Sequence, residues 1–330
     1  MPFANIPGNA RIKKILMVAL QRDTLPNSLL FSGPEGVGKM EIAKEVAKAL
    51  NCRQMKDDAC GLCDHCRAIT GGIFPDVLLL FPDKNVLKVD QMRMLKHTAY
   101  LKPMTGEKRV FIVAEAEKMN PEAANTLLKV LEEPPASSFI ILVTSNPYLI
   151  LPTIKSRCQI LKFAPVGKDD ILRELKAKGY SDEQAEGMAL VAQGNLKRAL
   201  KMDWDEVREK REQAWMILKS MLSRVNLTMV LKSFAYKRRS DFVEEFQEIL
   251  EMLAAFSRDL MLVKEGGDGR CLLNPDYAEK IAEVGMHLTA EQAREMPGRI
   301  DHALHSLRNH VNIDLLASSL CISLMGESHV

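Results

Sequence analysis

The chain has 330 residues, 47% of them hydrophobic and 27% charged, with a formal net charge of +2. That length holds two or three domains with sizeable cores, and that balance is ordinary for a soluble globular protein. Near-neutral charge and 5% aromatic content exclude a polybasic or base-stacking nucleic-acid binder, leaving DNA contact to a local patch or to assembly with other chains.

Residues 1–27 form a lead-in with one short helical pattern, Ile12 to Gln21. Residues 15–20 are apolar but too few to span a membrane, and no signal-like amino terminus precedes them, so a cytoplasmic protein is expected. Leu29 to Phe31 reads as a buried strand. It runs into Gly33-Pro34-Glu35-Gly36-Val37-Gly38-Lys39-Met40, a phosphate-binding loop up to its last position. Gly33, Gly36 and Gly38 allow a tight turn that aims backbone N–H groups at phosphate oxygens, and Lys39 adds a positive charge. Met40 stands where a Ser or Thr hydroxyl would hold Mg²⁺, and a thioether is a poor ligand for that hard cation. The loop and Lys39 suffice for an anion; tight Mg-nucleotide binding also wants the hydroxyl. Ile42, Ala43, Val46, Ala47 and Leu50 then repeat at helical spacing.

Four of the seven cysteines follow in fifteen residues as Cys52-x7-Cys60-x2-Cys63-x2-Cys66. In a cytosolic chain this spacing points to metal ligation, and four thiolates close a tetrahedral, structural Zn²⁺ shell. An iron–sulfur cluster could use the same ligands, and His65 could compete for a place. A second apolar run spans Asp76 to Phe81, and Asp90 to Tyr100 reads as a helix. The run Arg109 to Ala114 has the continuous apolar character of a doubly covered parallel strand. In nucleotide hydrolases such a strand end presents an Asp for the metal and then a Glu for the water. Here Ala114 can do neither, while Glu115 remains, so two holds on one ion are missing together.

Asn120-Pro121-Glu122 starts a helix that stops at Pro134-Pro135. Phe139 to Thr144 and Cys158 to Phe163 are the fourth and fifth runs, with Ser156-Arg157-Cys158 just before the last. Strands alternating with helices over this length predict an α/β layer built on a parallel sheet with helices on both faces. Residues 168–205 read as a small helical unit with turns at Gly179 and Gly194. Beyond 206 no strand is evident. Helical patterns run from Glu206 to Arg224, Phe242 to Lys264 and Asn312 to Leu324, around a loop from Glu265 to Pro275. The run Lys237-Arg238-Arg239 is most simply a solvated face.

Together these stretches resemble the bacterial DNA polymerase III clamp-loader subunits of the AAA+ class. The residues that carry the resemblance are Gly33 to Lys39, the four cysteines, Val89-Asp90-Gln91, Leu127 to Pro135, Ser156-Arg157-Cys158 and Asn309-His310-Val311-Asn312. The match is close through about residue 205 and looser beyond. It implies an AAA+ phosphate-loop domain over 1–165 with a zinc module at about 52–66, a helical lid over 166–205 and a helical oligomerisation collar over 206–330. It further implies a heteropentamer with subunits of the gamma/tau and delta types that loads a sliding clamp on primed DNA. Arg157 matches the family's trans-acting arginine finger, Glu115 is a vestige of the hydrolytic pair, and Lys197, with Arg198 beside it, stands at the lid's sensor position. Met40 and Ala114 place the chain in the branch without a working ATP site. The alternatives are an active motor subunit of the gamma/tau type and a zinc-dependent nucleic-acid-binding module with a vestigial AAA+ layer.

Overall fold

In the computed structural model, which describes residues 2–223, 242–308 and 312–325, the apolar runs become five strands. They are β1 (Ser28–Ser32), β2 (Val77–Leu80), β3 (Arg109–Val113), β4 (Ser138–Thr144) and β5 (Gln159–Lys162). Their order is β2-β3-β4-β1-β5, and every neighbouring pair is parallel. The helices between and after them are α1 (Ala10–Gln21), α2 (Lys39–Asn51), α3 (Asp64–Thr70), α4 (Val89–Ala99), α5 (Pro121–Glu132), α6 (Pro152–Lys155), α7 (Lys168–Ala177), α8 (Asp182–Ala192) and α9 (Leu196–Ala199).

The three inner strands β1, β3 and β4 are buried at every residue, whereas the edge strands are buried only in part. Successive side chains point to opposite faces. Leu30, Phe111, Val113, Ile140 and Leu142 join Met92 and Leu95 of α4 and Leu127 and Val130 of α5 in one core. On the other face α2 packs against β3 and β4, with α1 against it. Its Ile42, Ala43, Val46 and Ala47 are fully buried. The predicted α/β layer is therefore the observed one. The Asn120 side chain caps α5 by accepting from the Ala123 N–H, with Pro121 at the first helical position.

The chain splits into two compact units, Met1–Tyr180 with Ala192–Lys201, and Ser181–Val191 with Met202–Val330. The helices α7 and α9 lie in the first and most of α8 in the second. The second unit also contains α10 (Trp204–Ser223), α11 (Phe242–Lys264), α12 (Ala278–Met286), α13 (Ala290–Arg308) and α14 (Ile313–Met325). The long α11 packs on α10, α12 and α13. Trp215, Phe256 and Tyr277 form an aromatic trio with ring centroids 5.0–5.7 Å apart. The buried Asp259 carboxylate accepts from the Leu273 and Asn274 N–H groups, and Asn274 in turn accepts from Arg211.

Beyond residue 206 no strand occurs among the described residues, as expected. The predicted loop from Glu265 to Pro275 contains one single-turn helix and the start of another. Lys237-Arg238-Arg239, Arg224 and Asn309 to Val311 lie outside the described residues. Among the described residues no helix is long and apolar enough to cross a membrane.

Candidate functional site

The phosphate loop leaves the carboxyl end of β1 and turns into α2, the strand–loop–helix context its sequence predicts. Gly36 has φ +67°, and a Cβ there would sit 1.6 Å from the Asn195 Oδ1, so only glycine fits. Gly38, also left-handed, precedes α2 without a side-chain cap, which leaves the helix N–H groups as donors for an anion. Lys39 is buried. Its Nζ donates to the loop's own carbonyls, to Gly33 O at 2.5 Å and to Pro34 O. Burial pulls its ammonium below the usual value, opposed by the charges of Glu35, Glu117 and Glu41.

At the end of β3, Ala114 is buried and has no ligand to offer. Glu115 takes the left-handed conformation, φ +49°, a costly one for a non-glycine residue. Its half-exposed carboxylate pairs with Lys118 at 2.5 Å. Besides Glu35 of the loop itself, an acid that bears on Lys39 is Glu117, two residues on from Glu115, which the sequence pattern does not single out. Glu117 Oε1 accepts from Ser145 N–H at 3.0 Å and Ser145 Oγ–H at 2.5 Å. Burial raises its carboxyl, but these bonds and one from Thr144 outweigh it, and the group is held ionised. The alternation Glu115-Ala116-Glu117 was the available signal.

Two further segments touch the loop. The turn before α9 brings Lys197 N–H to Gly36 O at 3.3 Å, and the Asn195 side chain caps α9 at Arg198 N–H. The Lys197 side chain itself is exposed. From the amino-terminal side, Asn9 Nδ2 donates to Val37 O at 3.3 Å, and Ile6 lies beside Gly38.

The four cysteines come together. Their Sγ atoms all lie within 4.8 Å of one another, and Cys60 and Cys66 are 3.9 Å apart. A tetrahedral Zn²⁺ shell with bonds of about 2.3 Å has sulfur–sulfur edges of about 3.8 Å. Cys52 ends α2 and Cys63 caps α3, so a bound ion would pin the two helices together. Backbone N–H groups of Leu62 and Cys63 point at Cys60 Sγ, and that of Cys66 at Cys63 Sγ, the outer support metal thiolates use. For the Cys63 thiol, burial raises it, yet the N–H donors of Cys66 and Arg53 and the neighbouring thiols outweigh this and leave it at about 6. Burial pushes the Cys66 thiol up. The residues fit a structural zinc. His65 stands aside: its Nδ1–H donates to Asn51 O at 2.9 Å, and its ring packs on Phe74. The buried Asp58 ties the amino-terminal segment to this module by accepting from Phe3 N–H at 3.1 Å and Ala59 N–H at 2.7 Å.

Arg157 follows α6 and precedes β5. Its Nε donates to Glu132 Oε1 at 2.7 Å, with a second short bond from NH2, and its NH1 to Thr153 O at 2.9 Å. Register pairs Leu29 with Gln159 and Ser32 with Lys162. Arg157 therefore lies beside the amino end of β1, and the phosphate loop beside its carboxyl end. Six residues of strand, about 20 Å, separate the two.

Residues 8–167 match the family model described as DNA polymerase III, delta subunit. The chain is 28% identical to the DNA polymerase III subunit delta' of Bacillus subtilis over 95% of both chains. It is 34% identical to the delta' subunit of Pseudomonas aeruginosa over 59% of this chain and 61% of that one. With the tau subunit of Bacillus subtilis the identity is 30%, over 89% of this chain and 56% of that one. It thus spans nearly all of one relative and little more than half of the other two.

Proposed function

We propose that this chain, a relative of the DNA polymerase III clamp-loader subunits, is one of the delta' kind, which gives Arg157 to a neighbour's ATP site and does not hydrolyse ATP itself. It takes its place beside gamma/tau-type and delta-type subunits in a cytoplasmic heteropentamer that opens the sliding clamp and sets it on primed DNA. The observation that carries this reading is the position of Arg157. In an all-parallel sheet it stands at the opposite end of the strands from its own loop, with Glu132 holding the guanidinium. An arginine there is out of reach of its own phosphate loop and available to a phosphate on another subunit, where it stabilises developing charge. Met40 and Ala114 supply the other half, since neither side chain holds Mg²⁺.

The likeness to tau favours a second reading, an active motor, which requires a different Mg²⁺ ligand beside the loop. Coverage of 95% of the delta' relative against 56% of tau supports the first. The cysteine set would hold a structural Zn²⁺ that cross-links α2 to α3 and takes no part in chemistry. Leu315 and Ile322 on α14, each 68% exposed, support the assignment of 206–330 as a collar that meets other subunits. The bounds 1–165 for the phosphate-loop domain and 166–205 for the lid belong to the same proposal. ATP hydrolysis by the isolated chain, with and without Mg²⁺, tests it. No turnover above background is expected; robust Mg²⁺-dependent turnover abolished by Lys39→Ala would establish the motor reading instead.

A further inference from the structure

A guanidinium has five N–H donors, and in Arg157 all three nitrogens are engaged by the chain itself. Nε donates to Glu132 Oε1 at 2.7 Å and NH2 to the same oxygen, while NH1 donates to Thr153 O at 2.9 Å and to Ser156 Oγ at 3.3 Å. That leaves a single N–H, on NH2, without a partner among the described residues. Glu132 ends α5, and Glu133 follows it as the cap. Acids there face the negative end of the helix dipole, so the place suits a cation at rest and repels an anion. A phosphate that approached the guanidinium where it lies would meet the Glu132 carboxylate beside it. The pair is also a loose one. The Arg157 side chain is 31% exposed and that of Glu132 47%, and an ion pair so open to water shifts an equilibrium by no more than about fivefold.

We infer that the Arg157–Glu132 pair is the resting position of the arginine finger: Glu132 is a positioning residue that competes with a neighbour's phosphate for the Nε and NH2 edge, and hydrolysis waits on that exchange. The inference rests on the reading of Arg157 as a trans-acting group and names the contact that restrains it. A finger acts on charge that develops in the transition state, so Arg157 contributes only in proportion to the fraction released from Glu132. Releasing it raises the rate at saturating ATP and leaves the neighbour's own hold on ATP as it was.

Single-turnover Mg-ATP hydrolysis by the loader reconstituted with gamma/tau-type and delta-type subunits, without clamp or DNA, tests this, because there the finger is at rest. Glu132→Ala in this chain is expected to raise the rate at saturating ATP by about two- to fivefold, with the half-saturating ATP concentration unchanged. Adding Arg157→Ala to Glu132→Ala removes the gain. Gel filtration confirms assembly of each complex, and Glu132→Gln, which keeps the side chain's length and loses its charge, takes the place of the alanine if that complex does not form. A rate equal to or below wild type in the assembled neutral variant would overturn the inference, a fall showing that Glu132 supports the working finger. So would a gain that survives the loss of Arg157, or one seen only as tighter ATP binding. Arg157→Ala that leaves the clamp- and DNA-stimulated rate unchanged contradicts the function proposed above. A wild-type rate in Glu132→Ala, where Arg157→Ala does impair the stimulated loader, contradicts this inference alone.

Discussion

Asp76 and Arg109 show how much one residue holds at the edge of the sheet. Both are buried, with Arg109 NH2 2.7 Å from Asp76 Oδ1. The same carboxylate accepts from the N–H groups of Met104, Thr105 and Gly106, and Arg109 also donates to Thr98 O and Lys102 O. Asp76→Ala leaves a buried guanidinium and three donors unmatched, and should cost about 3–5 kcal/mol in urea unfolding. Burial raises the Asp76 carboxyl, but its N–H donors and Arg109 outweigh this and hold it below the usual range. A depressed carboxyl contributes stability above its unfolded value and loses it as pH falls through the folded one. The acid-side decline in unfolding midpoint should accordingly be shallower in Asp76→Ala than in the wild type. None of this network is visible in sequence, because Asp76 and Arg109 lie 33 residues apart and their other partners are backbone N–H groups and carbonyls. The loop residues were legible at Gly33, Gly36, Gly38 and Lys39, whose spacing is set by phosphate geometry. The placement of Glu117 was not, because it depends on a helical turn after β3 and on Ser145, 28 residues away.

At the scale of elements, the strands were legible because inner parallel strands are apolar without interruption, as Arg109 to Val113 and Ser138 to Thr144 are. The helices α12 and α13 were not singled out in the sequence: Pro297 lies inside α13, a position that removes one helix bond and that tertiary packing overrides. The cysteine module was legible from spacing alone, since short x2 separations bring thiolates within one shell. Its link to the amino terminus was not: Asp58 reaches Phe3, 55 residues away. Purified chain should contain about one zinc, lost in Cys63→Ser. Stripping the metal should raise amide exchange in α3 and in the segment Phe3 to Ile6. Asp58→Ala should free that amino-terminal segment while the metal stays bound. Equal protection of Phe3 to Ile6 in all three states would show that the module does not hold it.

For the whole molecule, the contacts divide the chain into two compact units, of which the first holds the sheet. What the proposed assembly requires of this chain is a division of labour in space. Its own loop sits at the carboxyl ends of the strands, and Arg157 sits at their amino ends, held by Glu132. On this proposal the chain acts on ATP only through Arg157, at the amino ends of the strands. Its most direct test is the clamp- and DNA-stimulated ATPase rate of the loader reconstituted with gamma/tau-type and delta-type subunits. Replacing this subunit by Arg157→Ala should lower that rate by tenfold or more, about 1.4 kcal/mol or more of lost transition-state stabilisation, while assembly of the complex is unchanged. An intact complex that hydrolyses ATP at the wild-type rate with Arg157→Ala would contradict it.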